Sequence, residues 1–201
     1  YLMLMMGPDG EKQVVKSQIK PSGRDRLWIL PGNDEIAAAG RILVDKPMSY
    51  VKATLQQMFM SNGTTPDYII IDTSPSKGGS QEQAIFASDY VLIPTAPEFL
   101  SLQGVAKVLD MLKVLVDTQG WKGKLAGVLP TLYDEQTRES MAAADEMQQR
   151  YGQHDLLLKP IHRATVMRDC AAEGMTIFEK DPDSRAAKEY QSVVDVVSKL
   201  P

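Results

Sequence analysis

Five short apolar runs constrain this chain more than any other feature: Leu27–Leu30, Tyr68–Ile71, Tyr90–Ile93, Leu125–Leu129 and Leu156–Leu158. Each has the length of a strand, and none alternates polar with apolar residues. A half-exposed strand shows that alternation, whereas a strand covered on both faces does not. The runs therefore predict a parallel sheet between layers of helix. Helical spacing fills the gaps: Asp34–Val44 and Ser49–Met60 before the second run, Ser80–Ala87 after it, Leu100–Thr118 after the third. Thr137–Arg150 follows the fourth run, Arg163–Glu173 the fifth, and Ser184–Leu200 closes the chain. Thr137 and Ser184 stand where N-caps are expected. The repeated order of strand and helix predicts a doubly wound, mostly parallel α/β sheet flanked by helices.

In such a fold ligands bind at the edge where the strands end. The runs end in Pro31-Gly32-Asn33, Asp72-Thr73-Ser74-Pro75, Pro94-Thr95, Pro130-Thr131 and Lys159-Pro160. Rigid loops carrying hydroxyls and one carboxylate suit a phosphate or a Mg²⁺ ion. Asp72, at the tip of the second run, has two readings. It orders Mg²⁺, often through a water, or it caps the next turn. Lys77-Gly78-Gly79-Ser80 has the start of a phosphate-binding loop, but Gln81-Glu82-Gln83 replaces the required continuation. No other segment supplies that loop.

Composition narrows the rest. The net charge of −4 argues against a surface that grips nucleic acid everywhere and confines polyanion contact to a local patch. Cys170, the one cysteine, excludes an intrachain disulfide and reads as a buried helix residue. His154 and His162 lack metal-ligand spacing. No apolar run reaches membrane-span length. The chain is expected to form one domain over residues 1–201, with 1–26 peripheral or irregular.

Taken in order, several segments resemble the ParA/Soj/MinD group of deviant Walker ATPases, and the partition branch most. They are Asp67–Pro75, Ala87–Glu98, Leu102-Gln103-Gly104, Gly127–Asp134 with Arg138, Ile161–Arg163, Gly174 and Glu179–Tyr190. The likeness covers about residues 27–199. It implies that a phosphate loop and a switch I aspartate precede Tyr1, so that the chain is expected to begin inside the domain. It also implies ATP and Mg²⁺ as cofactors, with Asp72 as the catalytic and metal-linked carboxylate.

By the same resemblance Thr73, Pro75, Thr131, Ile161 and His162 would touch the nucleotide, the last two as a loop over the base. Proline often stands in the family where this chain has His162. Ser74, Ser76, Lys77, Gly78 and Gly79 would form switch II. Arg138, Arg163, Arg168, Arg185 and Lys188 would hold DNA without sequence preference, each with the alternative of being solvated or paired with Asp169, Glu173 and Glu189. The implied protein is a cytoplasmic, nucleoid-associated homodimer with a ParB-like partner and no membrane attachment, since Pro201 follows a helix of packed-core character. Alternatives on the same fold are a catalytically inactive dimerisation or regulatory module, and an ATPase positioning another cargo.

Overall fold

In the computed structural model the residues described are 19–32, 41, 43–60, 66–73, 79–154 and 156–201. They fall into two compact units, residues 1–89 with 115–122 and residues 90–114 with 123–201.

In the first unit β1 (Lys20–Pro21) pairs antiparallel with β2 (Trp28–Ile29). Ser22 closes the turn between them by donating its hydroxyl to the Leu27 carbonyl at 2.9 Å and accepting from the Arg24 amide at 3.1 Å. Helices α1 (Tyr50–Met60) and α2 (Gly79–Ala87) pack together. The polar side chain that joins them is Gln83, which is 1% exposed. Its Oε1 accepts from the Val51 amide at 3.2 Å, and its Nε2 donates to the Leu43 carbonyl at 3.0 Å and the Lys46 carbonyl at 3.4 Å. Burying an amide costs little once its donors and acceptor are used. Gly79 begins α2 where a Cβ would lie 3.1 Å from the Val44 nitrogen, so the helix start sits directly on backbone. Trp121 is buried and donates its indole N–H to the Ser88 carbonyl at 2.9 Å.

The second unit holds the parallel pair. β3 (Tyr90–Thr95) runs alongside β4 (Lys124–Pro130), with a register slip between Val91 and Leu92. Helix α3 (Phe99–Gln119), which belongs to this unit as far as Val114, and α4 (Arg138–Tyr151) cover the pair. Leu102 and Val105 from α3 meet Ala143, Met147 and Tyr151 from α4 over Ile93 and Val128. The helical periodicity of these segments puts an apolar stripe on one side of each, and that stripe is what the core buries. A second cluster joins α5 (Val166–Glu173), α6 (Ile177–Lys180) and α7 (Arg185–Val197) through Cys170, Ile177, Ala186 and Ala187. Cys170 is a buried helix residue, as expected.

Several expectations need correction. Tyr68–Ile71 forms no strand and is not buried: Ile70 is 91% exposed and Tyr68 58%. Leu27–Leu30 supplies only the two-residue β2, and Trp28 is 59% exposed. An unbroken apolar run encodes a wish for burial, but a strand also needs neighbours that donate and accept along its edges. Among the described residues no strand supplies them to 68–71. Leu156–Leu158 lies between these cases. It is bridged to β4 at Val128 without becoming a strand of its own. Thr137 occupies the N-cap position of α4 but makes no side-chain cap bond; its hydroxyl donates to the Asp134 carbonyl. Ser184 caps α7 as expected, accepting from the Ala187 amide at 3.1 Å. The capping box of Thr176 with Glu179 on α6 was not anticipated. Gly7–Gly10, most of residues 1–26 and of Asp34–Val44 lie outside the described residues.

Gly127 fixes how closely segment 156–158 approaches β4. A Cβ there would stand 2.9 Å from Leu158 Cγ and 3.0 Å from the Leu156 carbonyl oxygen. Gly127→Ala is expected to cost about 1–3 kcal/mol by overpacking, read from the urea midpoint of the whole chain. Gly104 lies inside α3 with nothing within 4 Å of its missing Cβ. Gly104→Ala should stabilise the chain by up to about 1 kcal/mol, read as a higher urea midpoint.

Candidate functional site

Because β3 and β4 are parallel, their C-terminal ends lie side by side. The Thr131 amide donates to the Thr95 carbonyl at 2.8 Å just past both ends. From there the chain runs next to residues 161–163. The Ile161 amide donates to the Pro130 carbonyl at 2.9 Å, Tyr133 to the Ile161 carbonyl at 3.1 Å, and Arg163 to the Tyr133 carbonyl at 2.9 Å. Thr131, Ile161 and His162, three of the expected nucleotide-binding residues, are thereby brought together at the strand ends. Ile161 is buried, whereas Leu132, between Thr131 and Tyr133, is 55% exposed and takes φ 56°. A leucine in the left-handed region carries strain of order 1 kcal/mol, and such strain concentrates where a loop shape matters.

His162 sits at the centre of a polar cluster. Glu189 on α7 accepts from the His162 amide at 2.8 Å with one oxygen and faces the ring Nδ1 at 2.7 Å with the other. Arg185, one turn earlier on the same helix, donates from Nε to Glu189 at 2.8 Å. Its terminal nitrogens reach Glu135 at 3.2 and 3.4 Å and the His162 Nε2 at 2.6 Å. The Tyr133 ring meets the imidazole edge-on, with centroids 4.8 Å apart. For Glu135, the hydrogen bond and charge of Arg185 hold the carboxyl below its ordinary range. Burial pushes Glu189 the other way, but the His162 amide, Arg185 and the imidazole outweigh it and leave the carboxyl lowered. Arg185 is raised by its hydrogen bonds to Glu135 and then Glu189.

The sequence reading named Glu189, with Asp169 and Glu173, as a possible partner of the basic residues; the structure pairs it with Arg185, four residues earlier on the same helix. Glu135 and Tyr133 were missed. Glu135 is 50 positions from the arginine it holds, and no local pattern announces such a pair.

Asp72, Thr73 and Gly79 belong to the first unit. Asp72 and Thr73 are exposed in a segment without regular structure, and Gly79 is the buried first residue of α2. Ser74, Pro75, Ser76, Lys77 and Gly78 lie outside the described residues. Among the described residues no three of His, Cys, Asp and Glu gather into a metal-binding group. A lone exposed carboxylate suits Mg²⁺, which keeps several waters and takes one or two carboxylates together with phosphate oxygens. It does not suit an all-protein metal cage.

The expected DNA-binding residues all lie in the second unit. Arg138 opens α4, Arg163 follows the His162 loop, Arg168 is on α5, and Arg185 and Lys188 are on α7. All five are exposed. Among the described residues Arg185 alone of the five has an ion-pair partner, and its partners are Glu135 and Glu189. The described residues contain no helix long and apolar enough to cross a membrane.

Comparison with known proteins places the chain in a family. A family model described as an AAA domain matches residues 3–125. The chain is 26% identical over 201 residues to a ParA family protein of Chlamydia pneumoniae, covering 94% of this chain and 73% of that protein. Among solved structures it is similar to the ATP complex of Cyanothece McdA(D38A), with TM-score 0.79 and 19% identity, covering 98% of this chain and 78% of that one. It is also similar to a putative plasmid partition protein of Borrelia burgdorferi bound to AMPPNP, with TM-score 0.68 and 21% identity, covering 91% and 68%.

The cluster makes a pH-dependent contribution whose sign follows from the lowered carboxyls. Stability from Glu135 and Glu189 is complete above the ordinary carboxylate pKa of about 4.3 and is lost as pH falls through their lower folded values. Glu189→Gln should cost about 2 kcal/mol near neutral pH, the scale of hydrogen bonds to a charged group. It should also flatten the acid limb of urea midpoint against pH.

Proposed function

Because the chain belongs to the AAA-domain family of ParA/MinD-type P-loop ATPases, we propose that it is the nucleotide-switched part of an ATP-dependent DNA partition ATPase. The observation that carries this reading is the meeting of Thr131, Ile161 and His162 at the C-terminal ends of parallel strands, where doubly wound folds take their ligands. In this reading Thr131 and the Ile161–His162 loop flank the base of ATP. Asp72 helps to hold Mg²⁺, which neutralises phosphate charge, with Thr73 and Pro75 beside the phosphates. Residues 74–79 respond to the γ-phosphate as a switch segment.

ATP closes a homodimer, and the closed dimer presents Arg138, Arg163, Arg168, Arg185 and Lys188 to DNA. Four of these five cations have no carboxylate to displace among the described residues, which supports contact with phosphates. The net charge of −4 confines that contact to such a patch and argues against general stickiness. A ParB-like protein would stimulate hydrolysis and reset the cycle at the nucleoid. The plasmid partition protein among the similar structures is bound to an ATP analogue, which supports the pairing of nucleotide and partition.

The test is retention of a mixed-sequence DNA duplex by the full-length protein with ATP, with ADP and without nucleotide. ATP should raise affinity, and five phosphate contacts predict a fall of about 10²–10³-fold between about 50 mM and about 200 mM salt. Equal retention in every nucleotide state would defeat the reading. ATP binding without DNA retention would point to another cargo, and loss of ATP binding to a non-catalytic module. Asp72→Ala should leave folding unchanged while raising the Mg²⁺ concentration needed for hydrolysis by about 10–100-fold.

A further inference from the structure

The contact between His162 and Arg185 admits one arrangement of protons. An arginine guanidinium only donates. With its terminal nitrogen 2.6 Å from Nε2 of His162, that ring nitrogen must be the acceptor. The neutral imidazole then carries its proton on Nδ1, and the Glu189 oxygen 2.7 Å away receives it. Glu189 thus selects the tautomer, and the tautomer holds Arg185. The groups facing the ring are Glu189 and Arg185 from α7, Glu135 from the loop before α4, and Tyr133 from the loop after β4. Two carboxylates, one guanidinium and a neutral ring sum to a charge of −1.

A second proton changes the balance. Taken from solvent onto Nε2, it would set N–H against N–H across 2.6 Å, which cannot persist. The acceptor already in place for the new N–H is Glu135, whose Oε2 lies 3.4 Å from Nε2. The imidazolium would then serve both carboxylates, which are also the only ion-pair partners of Arg185 among the described residues. The cluster would become neutral, and Arg185, already 56% exposed, would lose its contact with the ring and much of its hold on Glu135.

We propose that His162 is a proton-operated latch on Arg185: neutral, it keeps the terminal guanidinium nitrogens folded against Glu135; protonated, it releases them to an anion, in this protein the phosphates of a nucleic acid. The latch regulates the polyanion patch and rests on that part of the proposed function. Histidine is the side chain suited to such a step, since its charge changes between about pH 5 and about pH 8. The release needs no movement of the fold, because the new ion pairs form within the cluster.

Two measurements on the full-length protein separate the latch from the patch. In ¹⁵N spectra at about pH 8, His162 should be the neutral Nδ1–H tautomer, and the terminal guanidinium N–H groups of Arg185, which face His162 and Glu135, should be protected from exchange. At about pH 5.5 that protection should be lost. An Nε2–H tautomer at the higher pH, or protection unchanged at the lower, overturns the proposal. In parallel, affinity for a mixed-sequence duplex in ATP at fixed salt should rise about 10-fold over the same span, the scale expected for one added phosphate contact. The rise should vanish in Arg185→Ala and in His162→Gln, which can accept from Arg185 but cannot be protonated. A His162→Gln protein that gains as much as the parent shows that general titration of the surface drives the change, and overturns the latch. Release in the spectra with no duplex bound at either pH supports the latch and refutes the nucleic-acid reading of the patch.

Discussion

The parallel pairing of β3 with β4, extended by residues 156–163, is the constraint on which the second unit depends. Parallel strands cannot be joined by a tight turn, so α3 must cross over between them, and its apolar stripe must lie on the pair. The amide of Val128 reaches the Leu156 carbonyl at 2.7 Å, and the amide of Leu158 reaches the Val128 carbonyl at 2.9 Å. The same alignment continues past Pro130 and delivers Thr131, Tyr133, Ile161 and His162 to one end. The candidate site is therefore a product of main-chain register. Its residues arrive there because strands that point the same way end at the same edge.

The polar cluster converts that backbone arrangement into chemistry. Glu189 holds both the backbone amide and the ring of His162, so it fixes the loop and the proton on the imidazole together. Arg185 lies at the junction of two demands. As a helix residue one turn before Glu189, it completes the cluster. As an exposed cation that the proposed function groups with Arg138, Arg163, Arg168 and Lys188, it would serve a polyanion better if free. Among the described residues, its carboxylate partners distinguish it from the other four.

How much was legible in the sequence follows from how far each feature reaches along the chain. Helical periodicity located α1, α2, α3, α4 and α7 to within a few residues, because a helix makes its hydrogen bonds within itself. The runs at Tyr90 and Leu125 became paired strands, and the order of segments carried the fold class and the family. The runs at Leu27 and Tyr68 read the same way and behaved differently. Their side chains report a preference for burial, while the partners that make a strand lie elsewhere and leave no mark in the local pattern. Gln83, which binds Leu43, Lys46 and Val51 at once, was equally silent, since a glutamine in a helix looks like any surface residue. In the site, Glu189 was among the carboxylates named as possible partners of the basic residues, but the Glu135 arm and the Tyr133 ring were not visible.

Gly127 has no side chain and touches no proposed ligand, yet it governs where His162 stands. Any larger residue there would lift Leu156 and Leu158 away from the sheet. Only a short, proline-stiffened span separates Leu158 from the imidazole, so a displacement at one end would be felt at the other. An absent methyl group thereby acts as the shim that levels the loop, and substitutions far from any charge can detune it.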